Sequence, residues 1–359
     1  PRTLEPLFRD TLREAGLNQY YCDMANIREH CSWVHSRQKE EATVKAKDII
    51  RMSVARARYL EPLQEFDLPV NKTALVVGGG IAGMTCALSI AAQGHEVQLV
   101  EKEKDLGGMA RRLATTIEGM DVRAYLQDMI SAVYRNPMIH VSHEAEIKDV
   151  AGYLGNFTTT LVSEGQLKTI QHGVSVLATG AEEYMPTEYM YGEDEKVVTH
   201  VALGELIAQK EEKISTARSV VMIQCVGSRC EERNYCSRVC CSHAVKNALK
   251  LKEINPEMDI YILYRDMRTY GFREDFYREA SDKHVRFIRY HPEDPRQVEA
   301  ASDGGRDILK ISVSDPILGQ RLELDAYFLS LAASVIPSAT TRKIAGLFKV
   351  TLSPDNFFK

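Results

Sequence analysis

A chain of 359 residues, 44% of them hydrophobic, is long enough for two or three packed domains and has an ordinary globular composition. No apolar run approaches the roughly 20 residues that span a bilayer, so no membrane span is expected. The formal charge of -5 lacks the basic excess that a phosphate backbone demands, which argues against nucleic acid as a partner. The opening PRTLEPLFRD has neither a signal peptide's apolar core nor a transit peptide's Arg-rich character, and the expectation is a cytoplasmic protein. Its eight cysteines are then expected as thiols or metal ligands rather than disulfides.

Residues 1–67 carry apolar residues at helical spacing (Leu4, Leu7, Phe8, Leu12, then Met24, Ile27, later Val44, Ile49, Ile50, Val54) and predict a helical arm of two or three helices. The last, about Lys39 to Leu60, has acids early (Glu40, Glu41) and bases late (Arg56, Arg58), the order that suits the helix dipole. Cys22 and Cys31 sit in this arm near Trp33 and His35, where packing or surface placement is the expected reading.

Past a linker containing Pro69, the phrase KTALVVGGGIAGMTCALSIAAQGHEVQLVEK predicts a strand (Ala74 to Val77), a glycine loop, a helix to Gln93 and a second strand (Glu96 to Val100). Gly78, Gly80 and Gly83 stand in G-x-G-x-x-G spacing. Gly78 makes the tight turn, Gly80 lets the backbone approach a pyrophosphate, and Gly83 lets the helix pack close to the strand. The pyrophosphate sits on the helix N-terminus, at Ile81 and Ala82, and Glu101 is placed to accept from a ribose hydroxyl. The continuation Glu101-Lys102-Glu103-Lys104-Asp105-Leu106-Gly107-Gly108-Met109 resembles the EKxxxLGG phrase of two-dinucleotide-domain flavoproteins, as does Ala178-Thr179-Gly180 at the return strand. That resemblance implies FAD, with Ile147 at the adenine, Gly107 and Gly108 near the pyrophosphate, and Pro337, in the phrase VIPS, near the flavin ring.

Between these motifs a helix (Val122 to Tyr134) precedes Ile139 to Val141, Ala145 to Val150, Phe157 to Val162 and Gln166 to Gly173, which read as hairpin strands. Val197 to Ala208 reads as a connecting strand and helix. Residues 218–224, then Ala244 to Ile254, then Asp259 to Tyr264 read as strand, helix and strand of a second doubly wound unit. Further strands are expected at Phe287 to Tyr290, Ile308 to Val313 and Gln320 to Leu324, with a polar loop over 291–307, and Asp325 to Leu331 is expected to return to the flavin domain. The fold class is therefore α/β: a two-dinucleotide-binding-domain, thioredoxin reductase-like flavoprotein with an N-terminal helical arm. Its expected domains are 1–67, then 70–190 with 325–359 for FAD, then 191–324.

Where that second unit should carry a glycine loop for a nicotinamide, the chain reads MIQCVGSRCEERNYCSRVCCSH, residues 222–243. Cys225, Cys230, Cys236, Cys240 and Cys241 offer five thiols for a four-ligand site. Adjacent Cys240 and Cys241 suit a tetrahedral zinc poorly, whereas the edges of a [4Fe–4S] cluster let consecutive cysteines reach different irons. Zinc and redox thiol chemistry stay open at this point, the latter without a C-x-x-C motif.

The phrases QCVGSR, YCSRVCC, MANIREHCSWVH, AKDIIRMSVARA and GGGIAG together resemble the A subunit of heterodisulfide reductase over essentially the whole chain. The resemblance implies a [4Fe–4S] cluster on Cys225, Cys236, Cys240 and Cys241. It leaves Cys230, where the family commonly has Asp, as a spare thiol. Large family members carry further cysteine-rich and ferredoxin-like portions; here residues 84–224 contain only Cys86 and no cysteine follows Cys241. The size resembles the short form found in heterodisulfide reductase-like complexes of sulfur-oxidising prokaryotes. That form implies partner subunits, a lipoate-binding protein as sulfur carrier, a role in cytoplasmic sulfur oxidation and a homodimer. The expected function is an electron-transfer subunit with FAD and one cluster. The alternatives are a stand-alone FAD disulfide reductase using a cysteine pair and NAD(P)H, a subunit of a heterodisulfide-reducing complex, and a flavin-stabilised scaffold.

Overall fold

The computed structural model describes residues 2–294 and 296–359. The chain divides into two compact units, Pro1–Pro69 and Val70–Lys359.

The first unit holds α1 (Glu5–Glu14) and α2 (Lys39–Ala57), with a 3-10 turn at Gln19–Tyr21 and a π turn at Arg28–Ser32 between them. Pro6 opens α1 where a missing N–H costs nothing, and α2 stops short of Leu60. Of this unit's described apolar residues only Cys31 and Ala42 are buried. Polar ties therefore supply much of its cohesion. Ser53 Oγ donates to Asp23 at 2.6 Å, the Tyr20 hydroxyl to Glu65 at 2.6 Å, and the Arg28 guanidinium lies 4.4 Å over the Trp33 ring. Cys31 Sγ donates to the Ala42 carbonyl at 2.9 Å, a packed thiol inside its own unit.

The second unit opens with β1 (Ala74–Val77), four consecutive buried residues, the pattern of a strand covered on both faces. It continues through α3 (Ile81–Ala92), β2 (Val97–Val100), α4 (Val122–Arg135) and β3 (Ile139–Ser142). Then come β4 (Ala145–Tyr153), β5 (Asn156–Ser163), β6 (Gln166–His172) and β7 (Val174–Leu177). A four-stranded sheet in the order β3-β2-β1-β7 is parallel throughout, and β4-β5-β6 form a separate antiparallel sheet. Ile139 to Val141 thus belongs to the parallel edge and not to the hairpin. Alternation along a short strand fixes which face is buried but not which strand it joins.

The chain goes on through β8 (Ala181–Glu183), β9 (Val197–Thr199), α5 (His200–Gln209), the short α6 (Glu212–Ser215) and β10 (Ser219–Val226). Next are α7 (Cys240–Ile254), β11 (Asp259–Tyr264), α8 (Arg273–Asp282), β12 (Arg286–Arg289), β13 (Gln297–Asp303), β14 (Arg306–Asp315) and β15 (Gln320–Ala326). The last elements are β16 (Phe328–Ala333), β17 (Val335–Pro337) and α9 (Thr341–Phe348). The second parallel sheet runs β12-β11-β10-β16-β9, and β13-β14-β15 form its antiparallel companion.

Two expectations give way here. Residues 291–307, expected as loop, contain β13; Pro295 within them lies outside the described residues. Asp325 to Leu331 does not lead back to the flavin half, because β16 is buried along its whole length between β10 and β9 of the second sheet. The chain returns only after Ala333, where β17 pairs with β8 and α9 packs on β4.

Both halves share one layout, which follows from strand alternation. On β10, Val220 and Met222 face the helical core with Leu203, Val245 and Leu251, while Val221 and Ile223 face Leu309, Ile311 and Leu324 of the antiparallel sheet. On β1, Val76 packs with Met84 and Leu126 of the helices, and Leu75 and Val77 pack with Ile147, Leu161 and Ile170. Each half is thus a parallel sheet between helices and a three-stranded antiparallel sheet, and the ends of both parallel sheets are left for ligands.

Candidate functional site

The first glycine loop is built by close approach. A Cβ on Gly83 would lie 1.8 Å from the Gly78 carbonyl oxygen, so α3 can pack this near β1 only without a side chain there. Gly78 itself adopts φ +109, the turn that sends the chain from β1 into α3. Gly80, the N-cap of α3, has no capping side chain, and a Cβ there would meet no protein atom within 4 Å. The N-terminal amides of α3 therefore face open space with the dipole behind them, an anion cradle.

The second glycine pair docks beside the first. Gly107 N donates to the Gly79 carbonyl at 2.8 Å, and Gly80 and Gly107 form an isolated parallel bridge. Glu101, 6% exposed, accepts from Gly79 N at 2.7 Å and Glu103 N at 2.9 Å. Each oxygen keeps a second lone pair. One carboxylate thus fixes the loop's shape and still faces the groove.

These parts frame a groove of about 640 Å³. Thirteen of the fifteen residues expected at the cofactor line it: Gly78, Gly80, Ile81, Ala82, Glu101, Lys102, Gly107, Gly108, Met109, Ile147, Ala178, Thr179 and Gly180. Gly83 is the buried spacer behind it, and Pro337 lines a neighbouring cavity with Tyr235 and Arg342 instead. Thr179 Oγ1 is buried in this wall with no hydrogen-bond partner among the described residues, an orphan that a ligand would satisfy. Cradle, orphan and volume all fit a flavin dinucleotide.

Sequence reasoning missed Arg112, Thr340 and Lys343, which also line the groove. Arg112 clasps Glu205 through Nε and Nη2, both at 3.0 Å, and reaches Glu183 at 2.9 Å. Those hydrogen bonds, Glu205 first, hold its charge firmly in place. Lys343 pairs with Glu146, whose carboxyl is held down to about 2 by Lys148 and then Lys343. The partners lie far apart in sequence, so no local pattern announces them.

The cysteine segment starts inside a strand. Cys225 sits near the end of β10 with φ +62, where the register against β16 shifts between Ile223 and Val226. Gln224 beside it is tied to His200 at 2.9 Å, and His200 to Ser330 at 2.7 Å. Burial, then Lys246, pushes the His200 imidazole down to about 3, so it works as a neutral hydrogen-bonding post. The loop that follows is pinned from the other side. The Tyr235 hydroxyl donates to the Val335 carbonyl at 2.9 Å, and Ser237 Oγ accepts from Val335 N at 2.9 Å. Cys240 and Cys241 then open α7, a helix whose first turn offers no acid to compete with thiolates.

These contacts bring four sulfurs into one another's field. Burial pushes the Cys240 thiol up to about 12, and Cys241, Cys225 and Cys236 push it the same way. Burial likewise raises Cys225 and Cys241, to which Cys236 adds. Cys230 is not among the sulfurs that act on Cys240 and lies beside the Glu232 carboxyl. All eight cysteines are free, and among the described residues no three His, Cys, Asp or Glu side chains converge tightly enough for a single ion. Three thiols held in the neutral form by burial and by neighbouring sulfurs, with Cys236 beside them, are a donor set that a multi-iron cation would satisfy.

Known proteins share this architecture. The thioredoxin reductase of T. acidophilum has the fold at a TM-score of 0.52 and 14% identity, covering 80% of this chain and 84% of that one. The Lactococcus lactis enzyme does so at 0.53 and 14%, over the same shares of 80% and 84%. Residues 74–257 match the family described as FAD dependent oxidoreductase. Fold and groove thus define a thioredoxin reductase-like, FAD-dependent oxidoreductase. More particularly, an iron-sulfur A subunit of the CoB–CoM heterodisulfide reductase of Methanopyrus kandleri is 32% identical over 460 aligned residues, spanning 100% of this chain and 68% of the relative. Its counterpart from Methanocaldococcus jannaschii is 31% identical over 456, spanning 100% and 68%. The chain belongs to the family of heterodisulfide reductase A subunits. Among the described residues no helix is long and apolar enough to cross a membrane.

Proposed function

We propose that this chain is the flavin and iron–sulfur electron-transfer subunit of a heterodisulfide reductase-like complex, with one [4Fe–4S] cluster on Cys225, Cys236, Cys240 and Cys241. What supports it is that Cys225, Cys236 and Cys241 all lie close enough to act on the Cys240 thiol, in the stretch after β10 where a dinucleotide unit would otherwise place its glycine loop. FAD exchanges electrons in pairs and a cluster exchanges them singly, so one chain holding both converts between the two.

The chain's own residues have separate duties in this reading. The amides at Gly80, Ile81 and Ala82 bind the pyrophosphate, Glu101 shapes the loop and meets the ribose, and Arg112 clamps α5 and β8 beside the groove. Gln224, His200 and Ser330 hold the strand that presents Cys225, while Tyr235 and Ser237 hold the loop that presents Cys236. Substrate chemistry is assigned to partner subunits, in keeping with relatives named as subunits of larger reductases. The match to the Methanopyrus kandleri relative runs over 460 positions against 359 residues here, so about 100 positions inside the aligned region have no counterpart in this chain, in keeping with a form that lacks the internal insertion. We assign that form to cytoplasmic sulfur oxidation as a homodimer, with a lipoate-binding protein as sulfur carrier.

The test is electron paramagnetic resonance of anaerobically purified, dithionite-reduced protein. One cluster signal per chain is expected, lost in Cys236→Ala while bound flavin stays. A flavin-containing chain with no such signal after iron and sulfide reconstitution contradicts the proposal.

A further inference from the structure

Apart from the flavin groove, a second concave site opens at the carboxyl ends of the second parallel sheet. Its cavity of about 400 Å³ is walled by Arg229, Arg265 and Arg289, backed by Tyr290 and His291, with Asp266 at one side. Arg265 follows β11 directly, Arg289 ends β12, and Arg229 lies just past β10. Three adjacent strands each deliver one guanidinium to the crevice where doubly wound sheets take their ligands.

The charges in this cavity do not balance. Among the described residues Asp266 is the one carboxylate lining it, paired with Arg229 at 2.7 Å and with Arg289 at 3.6 Å. Arg265 has no carboxylate partner among the described residues. Its Nη1 donates to the Arg229 carbonyl at 2.8 Å, and its Nε is buried with no hydrogen-bond partner among them. A buried donor without an acceptor is costly, and an oxygen supplied by a ligand would relieve it. Planar guanidiniums match tetrahedral oxyanions two oxygens at a time.

The geometry points to a binding site for a tetrahedral oxyanion of the phosphate class, held between Arg265, Arg289 and Arg229, with Asp266 limiting the charge it accepts. Two sources share this chemistry. One is a free ion such as inorganic phosphate. The other is the 2′-phosphate of a nicotinamide dinucleotide, because an arginine just past the second strand of a dinucleotide unit is where that group is taken, and Arg265 stands there after β11. The site adjoins the cysteine segment, with Arg229 against Cys225 and the Asp266 carbonyl accepting from Cys241 Sγ at 3.8 Å, while Arg265 and Arg289 supply the other guanidiniums of the oxyanion cradle.

The experiment uses the full FAD-loaded chain in buffer free of phosphate and sulfate, titrated calorimetrically with inorganic phosphate, NADP+ and NAD+. Saturable binding of phosphate or of NADP+ is expected. It should weaken about tenfold or more in Arg265→Gln and tighten in Asp266→Asn, which removes the competing carboxylate. Arg289, whose side chain is 60% exposed, supplies a second variant, Arg289→Gln, that weakens binding even where Arg265→Gln loses its flavin. Preference for NADP+ over NAD+ names the nucleotide as the source, and phosphate binding without that preference names the free ion. Absence of saturable binding of both phosphate and NADP+, or binding unchanged in both arginine variants, overturns the assignment.

Discussion

Gly83→Ala and Gly80→Ala separate the two jobs of the glycine loop. A Cβ added at Gly83 would lie 1.8 Å from Gly78 O and 3.0 Å from Gly78 C, both backbone atoms at a turn. Ordinary contact begins near ~3.5 Å, so α3 and β1 must part by roughly 1.5 Å. Overpacking costs about 1–3 kcal/mol, with the upper end expected where the obstacle is backbone. A shift of that size takes a hydrogen bond of about 2.9 Å beyond bonding range. Each bond to a charged phosphate is worth about 1.5–3 kcal/mol, so FAD affinity should fall by about tenfold or more for every such bond that breaks. At Gly80 an added Cβ meets no protein atom within 4 Å, and φ is an ordinary -73. Its methyl intrudes on the ligand alone. The assay is bound flavin per chain by absorbance, with thermal unfolding of the flavin-free proteins. Gly83→Ala should lower both, Gly80→Ala only flavin binding. Wild-type flavin content in Gly83→Ala, or a lowered apo unfolding temperature in Gly80→Ala, refutes the reasoning.

Glu101→Ala removes the acceptor for two loop amides as well as the ribose contact, and FAD should wash out during gel filtration that the native protein survives; equal retention would refute the assignment. Stability should also depend on pH through His200. Its imidazole titrates near 6.5 when unfolded and at about 3 when folded, so the unfolded chain gains a proton that the folded chain refuses. That stability is complete above 6.5 and is lost as pH falls from there toward 3, by about 1.4 kcal/mol per pH unit. Urea unfolding at about pH 7 and about pH 5, on either side of the unfolded value, checks it, and His200→Gln should flatten the difference. A native slope equal to the variant's would contradict the role of His200.

Much of the flavin half was legible because its signals are local. Gly78, Gly80, Gly83 and Glu101 lie within one strand, loop, helix and strand, and that order of elements has few other uses. The groove's remaining wall was not, since Arg112 acquires its role from Glu183 and Glu205, 71 and 93 residues away. Strand pairing was the other weak point. β16 reads as an apolar run like any central strand, and nothing within it says that β10 and β9 are its neighbours. In the cysteine segment residue types suggested metal, but the choice among five thiols came from a family resemblance. What the sequence could not show is how the loop is held, since Tyr235 and Ser237 are anchored to Val335, about a hundred residues further on.

The most direct measurement is iron, sulfide and flavin content of the anaerobically purified chain and of its Cys230→Ala and Cys236→Ala variants. About four irons and four sulfides per FAD are predicted for the native chain and for Cys230→Ala. Cys236→Ala should keep its flavin and lose its iron. Iron missing from Cys230→Ala, or a native chain that binds flavin and no iron, would contradict the account.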